Sequence, residues 1–378
     1  MKIYTFVNIL IWIQFTPSCN TPSSPQYFAQ GNIAHEMISS QVDSPLASYF
    51  IEKYLKNDHS NKEFDEKISS FIRYAQNGDL TNQKLKRISE QGSLDLSAMI
   101  FAHIHTQKNP KIKQSLLQNY QAVKENKIHL HLTSKNYKVI LIPGLFYQSK
   151  PQAKGDLRDV KSILEKSGFE VKRAPILDTG TVEENSKIVA EFIQKESYHH
   201  KKIILISASK GGPETAYALG SLMPIEATKK VAIWLSIGGA LRGSPLANQW
   251  LSWPHRWLAS TIGYFSGFSL QMLESLSIEQ STMRMNQISI PSHIRTFQLV
   301  GVPLSGTVIK EVQSGYKKLK KYGPNDGIVL LQDQIIPGSS VIIAMGLDHW
   351  YRDPDLKRKV IAFIATVTRN SDKYYKEI

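Results

Sequence analysis

The spacing of apolar and polar positions changes once along the chain, near Tyr137. Before that point it is helical. Leu46 and Phe50, then Ile51 and Leu55, recur at four-residue steps. Ile68, Phe71, Ile72 and Tyr74 follow, then Leu94, Met99, Phe101 and Ile104, then Leu116, Leu117, Tyr120 and Val123. Apolar positions three and four apart share one side of an α-helix. Asn77-Gly78 and Asn109-Pro110 punctuate the run. Residues 45–130 are therefore predicted to be a helical region of four or five short amphipathic helices.

Beyond Tyr137, short β-branched runs alternate with amphipathic segments. Strands are predicted at 138–142, 169–175, 202–206, 231–237, 294–301 and 340–345, and helices at 156–166, 182–195, 213–223 and 358–368. Such alternation implies a parallel sheet with helical crossovers, the α/β class. Residues 131–378 read as one α/β domain. It is interrupted at about 250–290 by an insertion carrying Trp250, Trp253, Trp257, Tyr264, Phe265, Phe268, Leu270, Met272 and Leu273.

The first residues are not expected to belong to the fold. Met1-Lys2 precedes an apolar run, Ile3 to Phe15, and Thr16-Pro17-Ser18-Cys19 closes it. This pattern predicts a signal peptide over 1–19. It is short for a membrane span, and Thr5, Asn8 and Gln14 interrupt it. Cys19 lies where a bacterial lipoprotein signal places its lipidated cysteine; Ser18 suits that pattern, whereas Thr16 and Pro17 depart from it. Lipid attachment at Cys19 and ordinary cleavage nearby both stand. Either way the protein is expected to be exported, to the cell envelope or beyond it. Residues 20–44 read as a flexible tether. With one cysteine in the chain, an intramolecular disulfide is excluded.

Charge adds a constraint on partners. The formal net charge is +14, from 46 Lys and Arg against 32 Asp and Glu. A basic surface favours anionic lipid heads, cell-wall polymers or nucleic acid. The cations are scattered and no nucleic-acid motif accompanies them, so nucleic acid is not expected. A solvated basic surface and a membrane-surface association remain.

The chemistry gathers around Ser207-Ala208-Ser209-Lys210-Gly211, between the predicted strand 202–206 and the helix after it. A strand that turns sharply into a helix needs small residues at the bend. This resembles the G-x-S-x-G nucleophile elbow of the α/β-hydrolases, with Ser207 in place of the first Gly. The resemblance implies an α/β-hydrolase fold with Ser209 as nucleophile. Ile142-Pro143-Gly144-Leu145-Phe146 then corresponds to the oxyanion loop, where lipases often carry His-Gly. The implied donors are the backbone N–H groups of Leu145 and Lys210. The Lys210 side chain is expected to face solvent.

Residues 236–248 resemble a triacylglycerol lipase segment, T-P-H-R-G-S-x-x-A-D. Arg242, Gly243, Ser244 and Ala247 match, while Ala240, Leu241 and Asn248 depart. Asn325-Asp326-Gly327-Ile328-Val329 resembles the segment carrying the acid, and His349 follows the last predicted strand. The order Ser209, Asp326, His349 is the family's. His349 would be the general base and Asp326 its orienting partner, with Asp333 and Asp348 as rival acids. Among other histidines, His199 and His200 precede the elbow strand and His255 lies in the insertion.

The aromatic insertion reads as a lid or as a cap with its own small core. Phe146, Trp250 and Trp253 are the candidate substrate contacts. His103 and His105 sit two residues apart, on different helix faces, and His129 and His131 alternate in what reads as an early strand without further ligands nearby. No metal or organic cofactor is implied. The resulting expectation is a serine ester hydrolase, lipase- or esterase-like, acting on a lipid or other ester through an acyl-enzyme. An acyltransferase with the same three residues and a non-catalytic lipid-binding envelope protein are the alternatives.

Overall fold

A computed structural model describes residues 26–34, 36–128, 130–150, 152, 155–198, 201–253 and 269–374. The expected signal segment and Cys19 lie outside the described residues, as do His129, His199, His200, His255, Trp257, Tyr264, Phe265 and Phe268.

The expected tether is structured from Tyr27 onward. Strands β1 (Tyr27–Ile33) and β2 (Glu36–Val42) pair antiparallel, with Tyr27 opposite Val42 and Ile33 opposite Glu36. Alternate residues point inward: Ala29, Gly31 and Ile33 on one strand, Ile38, Ser40 and Val42 on the other. The outward positions are mostly polar, and they made the stretch look like a spacer. Its period is two, the mark of a half-buried strand.

Helices α1 (Pro45–Glu52), α2 (Lys62–Gln76), α3 (Asn82–Gln91), α4 (Leu94–Lys108) and α5 (Pro110–Lys124) follow. The first four start at side-chain caps: Ser44, Asn61, Thr81 and Ser93 each accept an N–H from the first turn. A cap satisfies one of the orphan donors that every helix start leaves. Pro110 opens α5, where its missing N–H is harmless.

The α/β part runs α6 (His131–Asn136), β3 (Tyr137–Ile142), α7 (Arg158–Lys166), β4 (Glu170–Arg173), α8 (Val182–Glu196), β5 (Lys202–Ala208), α9 (Gly211–Tyr217), α10 (Ile225–Thr228) and β6 (Val231–Ile237). It continues through α11 (Pro245–Leu251), α12 (Leu270–Ser275), α13 (Ile278–Asn286), β7 (Arg295–Val302), α14 (Lys310–Leu319), β8 (Ser340–Met345) and α15 (Leu356–Tyr374). His131 thus opens a short helix rather than lying in a strand. The six strands from β3 to β8 form one parallel sheet in the order β4-β3-β5-β6-β7-β8. Its central strands are covered on both faces and so read as continuous apolar runs. Ile203 and Leu205 face the core under α8 and α9, and Ile204 and Ile206 face the core that holds Leu164 of α7 and Ile364 of α15.

The N-terminal helical region is not an independent layer. Ile33, Phe50, Ile68, Leu85 and Met99 share one core with Val300 and Val302 of β7 and Val341, Ile343 and Met345 of β8. Asp95 ties this junction together. Its Oδ2 accepts the Asp43 N–H at 2.8 Å, and its Oδ1 accepts the N–H and hydroxyl of Ser305 at 2.9 and 3.0 Å and the Tyr316 hydroxyl at 3.3 Å. Burial, then the nearby Asp43 charge, pushes the Asp95 carboxyl up to about 7.

Asp95→Ala should lower stability by about 2–3 kcal/mol in urea unfolding, because several donors lose a charged acceptor in a buried place. The sign of the pH effect follows from linkage. A carboxyl raised from 3.8 to about 7 binds its proton more tightly in the folded state, so its contribution falls as pH rises through that window. Asp95→Asn should therefore show a flatter dependence of unfolding free energy on pH across that window than the native protein.

Candidate active site

Ser209 occupies the turn between β5 and α9 with φ at 50°, left-handed for a residue that is not glycine. Its backbone is pinned on both sides. The Ser209 N–H donates to Ile237 O at 2.9 Å, and its carbonyl accepts from Gly212 at 3.0 Å and Ala240 at 3.1 Å. The bend is crowded. A Cβ at Gly211 would lie 2.6 Å from Pro143 O and 2.7 Å from Ile142 O, so only glycine fits there. A Cβ at Gly144 would meet Ser209 Cβ at 3.2 Å. The loop after β3 therefore passes directly against the serine, which stays partly exposed.

The loop after β8 delivers His349, and the turn at Asn325–Leu330 delivers Asp326. His349 Nε2 lies 2.9 Å from Ser209 Oγ, and His349 Nδ1 lies 2.7 Å from Asp326 Oδ2. The His349 N–H also donates to Asp326 O at 2.9 Å. Asp326 is fully buried, and its oxygens are saturated. Oδ1 accepts the N–H groups of Ile328 and Val329 at 2.9 and 2.8 Å, and Oδ2 accepts Gln334 Nε2 at 2.9 Å. A carboxylate held by such donors accepts the Nδ1 proton, which leaves Nε2 free to accept from the serine hydroxyl. Burial works against the imidazolium, but the Asp326 charge and hydrogen bond outweigh it and hold His349 above the ordinary 6.5. The three residues singled out from the sequence are thus brought into one hydrogen-bonded series.

The rival acids have other partners. Asp333 accepts Asn82 Nδ2 at 2.7 Å, and burial pushes it up to about 6. Asp348 accepts the N–H groups of Ile309 at 2.9 Å and Trp350 at 3.1 Å. In the loop after β3, Phe146 donates its N–H to Asp178 O at 3.2 Å. Among the described residues, no protein acceptor meets the N–H of Leu145 or of Lys210.

The Lys210 side chain does not face solvent. It is 2 % exposed and ion-paired with Glu214 one helical turn on, which is itself fully buried. Glu214 also accepts Asn185 Nδ2 at 2.8 Å, and Asn185 exchanges two hydrogen bonds of 2.9 Å with the backbone of Leu177. Burial raises the Glu214 carboxyl against the pull of Lys210. The reason is position: α9 runs inward beneath the sheet, so its first turn has no water to point at.

Three roles escaped the sequence reading. Ser207, in the place of the usual glycine, accepts Trp234 Nε1 at 2.9 Å, and both are fully buried. Ser244 caps α11 and donates its hydroxyl to Ile328 O, while the Arg242 N–H donates to Asp333 O at 3.2 Å. The Arg-Gly-Ser segment therefore buttresses the turn that carries Asp326. Tyr351 accepts the Gly301 N–H at 2.7 Å and donates to Leu299 O at 2.9 Å, fixing the loop just past His349. Phe146 is half-buried with the Lys150 ammonium 4.5 Å from its ring centroid. Trp250 is half-buried on α11, and Trp253 is 87 % exposed. Neither tryptophan belongs to the hydrogen-bonded series at Ser209.

Solved structures share this architecture. The metagenomic carboxyl esterase MGS0156 matches with a TM-score of 0.51 at 19 % identity, over 62 % of this chain and 76 % of that one. The mature Bacillus licheniformis lipase BlEst2 matches at 0.47 and 24 % identity, over 56 % of this chain and 84 % of that one. EstA from Clostridium botulinum matches at 0.44 and 14 %, over 62 % and 87 %. No family model and no curated protein sequence matches. The chain has an α/β-hydrolase fold, and its structural neighbours include carboxylesterases and lipases at low identity.

Ser207→Ala keeps a small side chain but removes the acceptor for the Trp234 indole. A buried donor left unmatched costs about 1–3 kcal/mol. Chemical unfolding should show that loss, with the Trp234 fluorescence reporting the same transition.

Proposed function

We propose that the protein is a serine ester hydrolase acting through an acyl-enzyme. The observation that carries the reading is the pair of contacts at His349, 2.9 Å to Ser209 Oγ on one nitrogen and 2.7 Å to Asp326 on the other. A serine hydroxyl is a weak nucleophile until a base takes its proton. His349 Nε2 is placed to do so, and Asp326 fixes the tautomer and stabilises the imidazolium. Attack of Oγ on the ester carbonyl forms a tetrahedral adduct whose oxyanion meets the N–H groups of Leu145 and Lys210. His349 then returns the proton to the departing alcohol. Water, deprotonated by the same imidazole, releases the acid and restores Ser209. The likeness to a named carboxyl esterase agrees with this chemistry, though at 19 % identity it speaks for the fold alone.

Phe146, Trp250 and Trp253 are proposed to receive the acyl group, and a lipid ester suits their apolar surfaces. Export through the segment 1–19, with or without lipid on Cys19, belongs to the same proposal and places the activity at the cell envelope or outside the cell. Association with a membrane surface would be favoured by the net charge of +14.

Ser209→Ala should lower kcat/KM for p-nitrophenyl butyrate by on the order of 10⁴–10⁶-fold, with Asp326→Asn losing about 10⁴-fold in kcat. A fluorophosphonate probe should label the native protein and not the Ala variant. Equal labelling of both would remove the assignment. Because the base must be unprotonated, kcat/KM should rise with pH, and the raised His349 puts the midpoint of that acid limb above 6.5.

A further inference from the structure

A cavity of about 600 Å³ opens where the N-terminal region meets the edge of the sheet, bounded by α5, α15 and β8. The size lies in the usual range for small-ligand sites, and a junction between packed units is a usual place for one. Leu116, Leu235, Leu299, Ile342 and Phe363 give it apolar walls. None of Ser209, Asp326, His349, Leu145 or Phe146 lines it. Leu347 and Tyr351 are the walls it shares with the loop that carries His349.

The ion pairs around the cavity do not take up all of its cations. Every carboxylate there is already matched. Glu36 and Asp353 each lie 2.8 Å from the Lys359 ammonium, and Asp355 lies 2.7 Å from Arg358 and accepts the Tyr120 hydroxyl. Two cations remain. Among the described residues, Lys113 and Lys124 have no carboxylate within ion-pair reach, and the Lys124 ammonium rests 4.8 Å from the Tyr120 ring centroid. Burial holds the Lys113 ammonium below its ordinary value, so a counter-anion there would be doubly favourable. The two lysines are three helical turns apart on α5, about 16 Å along its axis at 1.5 Å per residue. The site is thus elongated as well as apolar.

We propose that this cavity binds an amphiphile with one long alkyl chain and an anionic head, a fatty acid or a lysophospholipid, with the chain against the sheet and the head at Lys113 or Lys124. The site is separate from the serine centre, and its occupancy does not depend on ester hydrolysis. A long chain buries many methylenes at about 0.8 kcal/mol each, while the unmatched ammonium groups select against a neutral head.

The test is photo-crosslinking of the full chain with palmitate carrying a diazirine near the chain end, followed by peptide mapping. Label is expected on peptides from 110–124 and 356–364, in the native protein and in Ser209→Ala alike. Free palmitate should compete, and hexadecanol should compete about tenfold less well or worse. The double variant Lys113→Glu/Lys124→Glu should lose labelling by about tenfold while hydrolysing p-nitrophenyl butyrate at the native rate. A parallel arm with a diazirine lysophosphatidylglycerol separates the two sources of the anionic head, and labelling by either supports the site. Label confined to peptides carrying Leu145, Ser209 or Trp250, equal competition by hexadecanol, native labelling of the charge variant, or no labelling by either probe would each overturn it.

Discussion

The backbone at Ser209 is the constraint on which the site depends. A left-handed residue other than glycine costs on the order of 1–3 kcal/mol and persists only where its surroundings over-determine it. Here those surroundings come from two strands and the chain that follows one of them. β6 supplies Ile237 O, the chain just after β6 supplies the Ala240 N–H, and the end of β3 presses carbonyls against Gly211. The strain turns Oγ away from the sheet and toward His349. The loop at Gly144 passes close against the same residue. Geometry that the local chain disfavours is thus imposed by the sheet, whose strand ends converge at this point.

Buried polar groups repeat that logic at a second level. Asp326, Asp95, Lys210 with Glu214, and Ser207 with Trp234 are each placed where water cannot help them, and each is answered by a specific partner. A buried ion pair is weak evidence for stability, since desolvation offsets much of its attraction. What the Lys210–Glu214 pair contributes is position. Through Asn185 it connects the residue next to Ser209 with the backbone of Leu177, and the neighbouring Asp178 carbonyl holds Phe146 of the loop after β3. The two walls of the centre are joined by one chain of hydrogen bonds.

These features differ in how plainly the sequence showed them. The sheet was legible because its strands are covered on both faces, and residues 231–237 and 340–345 coincide with β6 and β8. Ser209, Asp326 and His349 were legible through their order and their turn residues. The hairpin at 27–42 was missed because Gln30, Asn32 and Gln41 face outward and dominate the local composition. Lys210 was misjudged although a signal existed: Glu214 stands four residues on, the spacing of a helical ion pair. The bond from Trp234 to Ser207 had no such signal. It joins neighbouring strands whose register only the folded sheet defines. The choice of Asp326 over Asp333 likewise rests on a turn that aims one carboxylate at His349 and leaves the other to Asn82.

The N-terminal region acquires a physical purpose from the same geometry. β8 is the edge of the sheet, and an uncovered edge is a template for unwanted pairing. The hairpin and α4 lie against that edge, and Glu36 accepts the N–H of Met345, the last residue of β8, at 2.8 Å. Met345 leads directly into the loop that carries His349. The region that closes the sheet therefore also anchors the strand that leads to His349. It shares a core with β7 and β8 rather than resting on them, so its removal would uncover Val341 and Ile343 as well as free the end of β8. Chain outside the hydrolase core is in this way coupled to the placement of an imidazole within it.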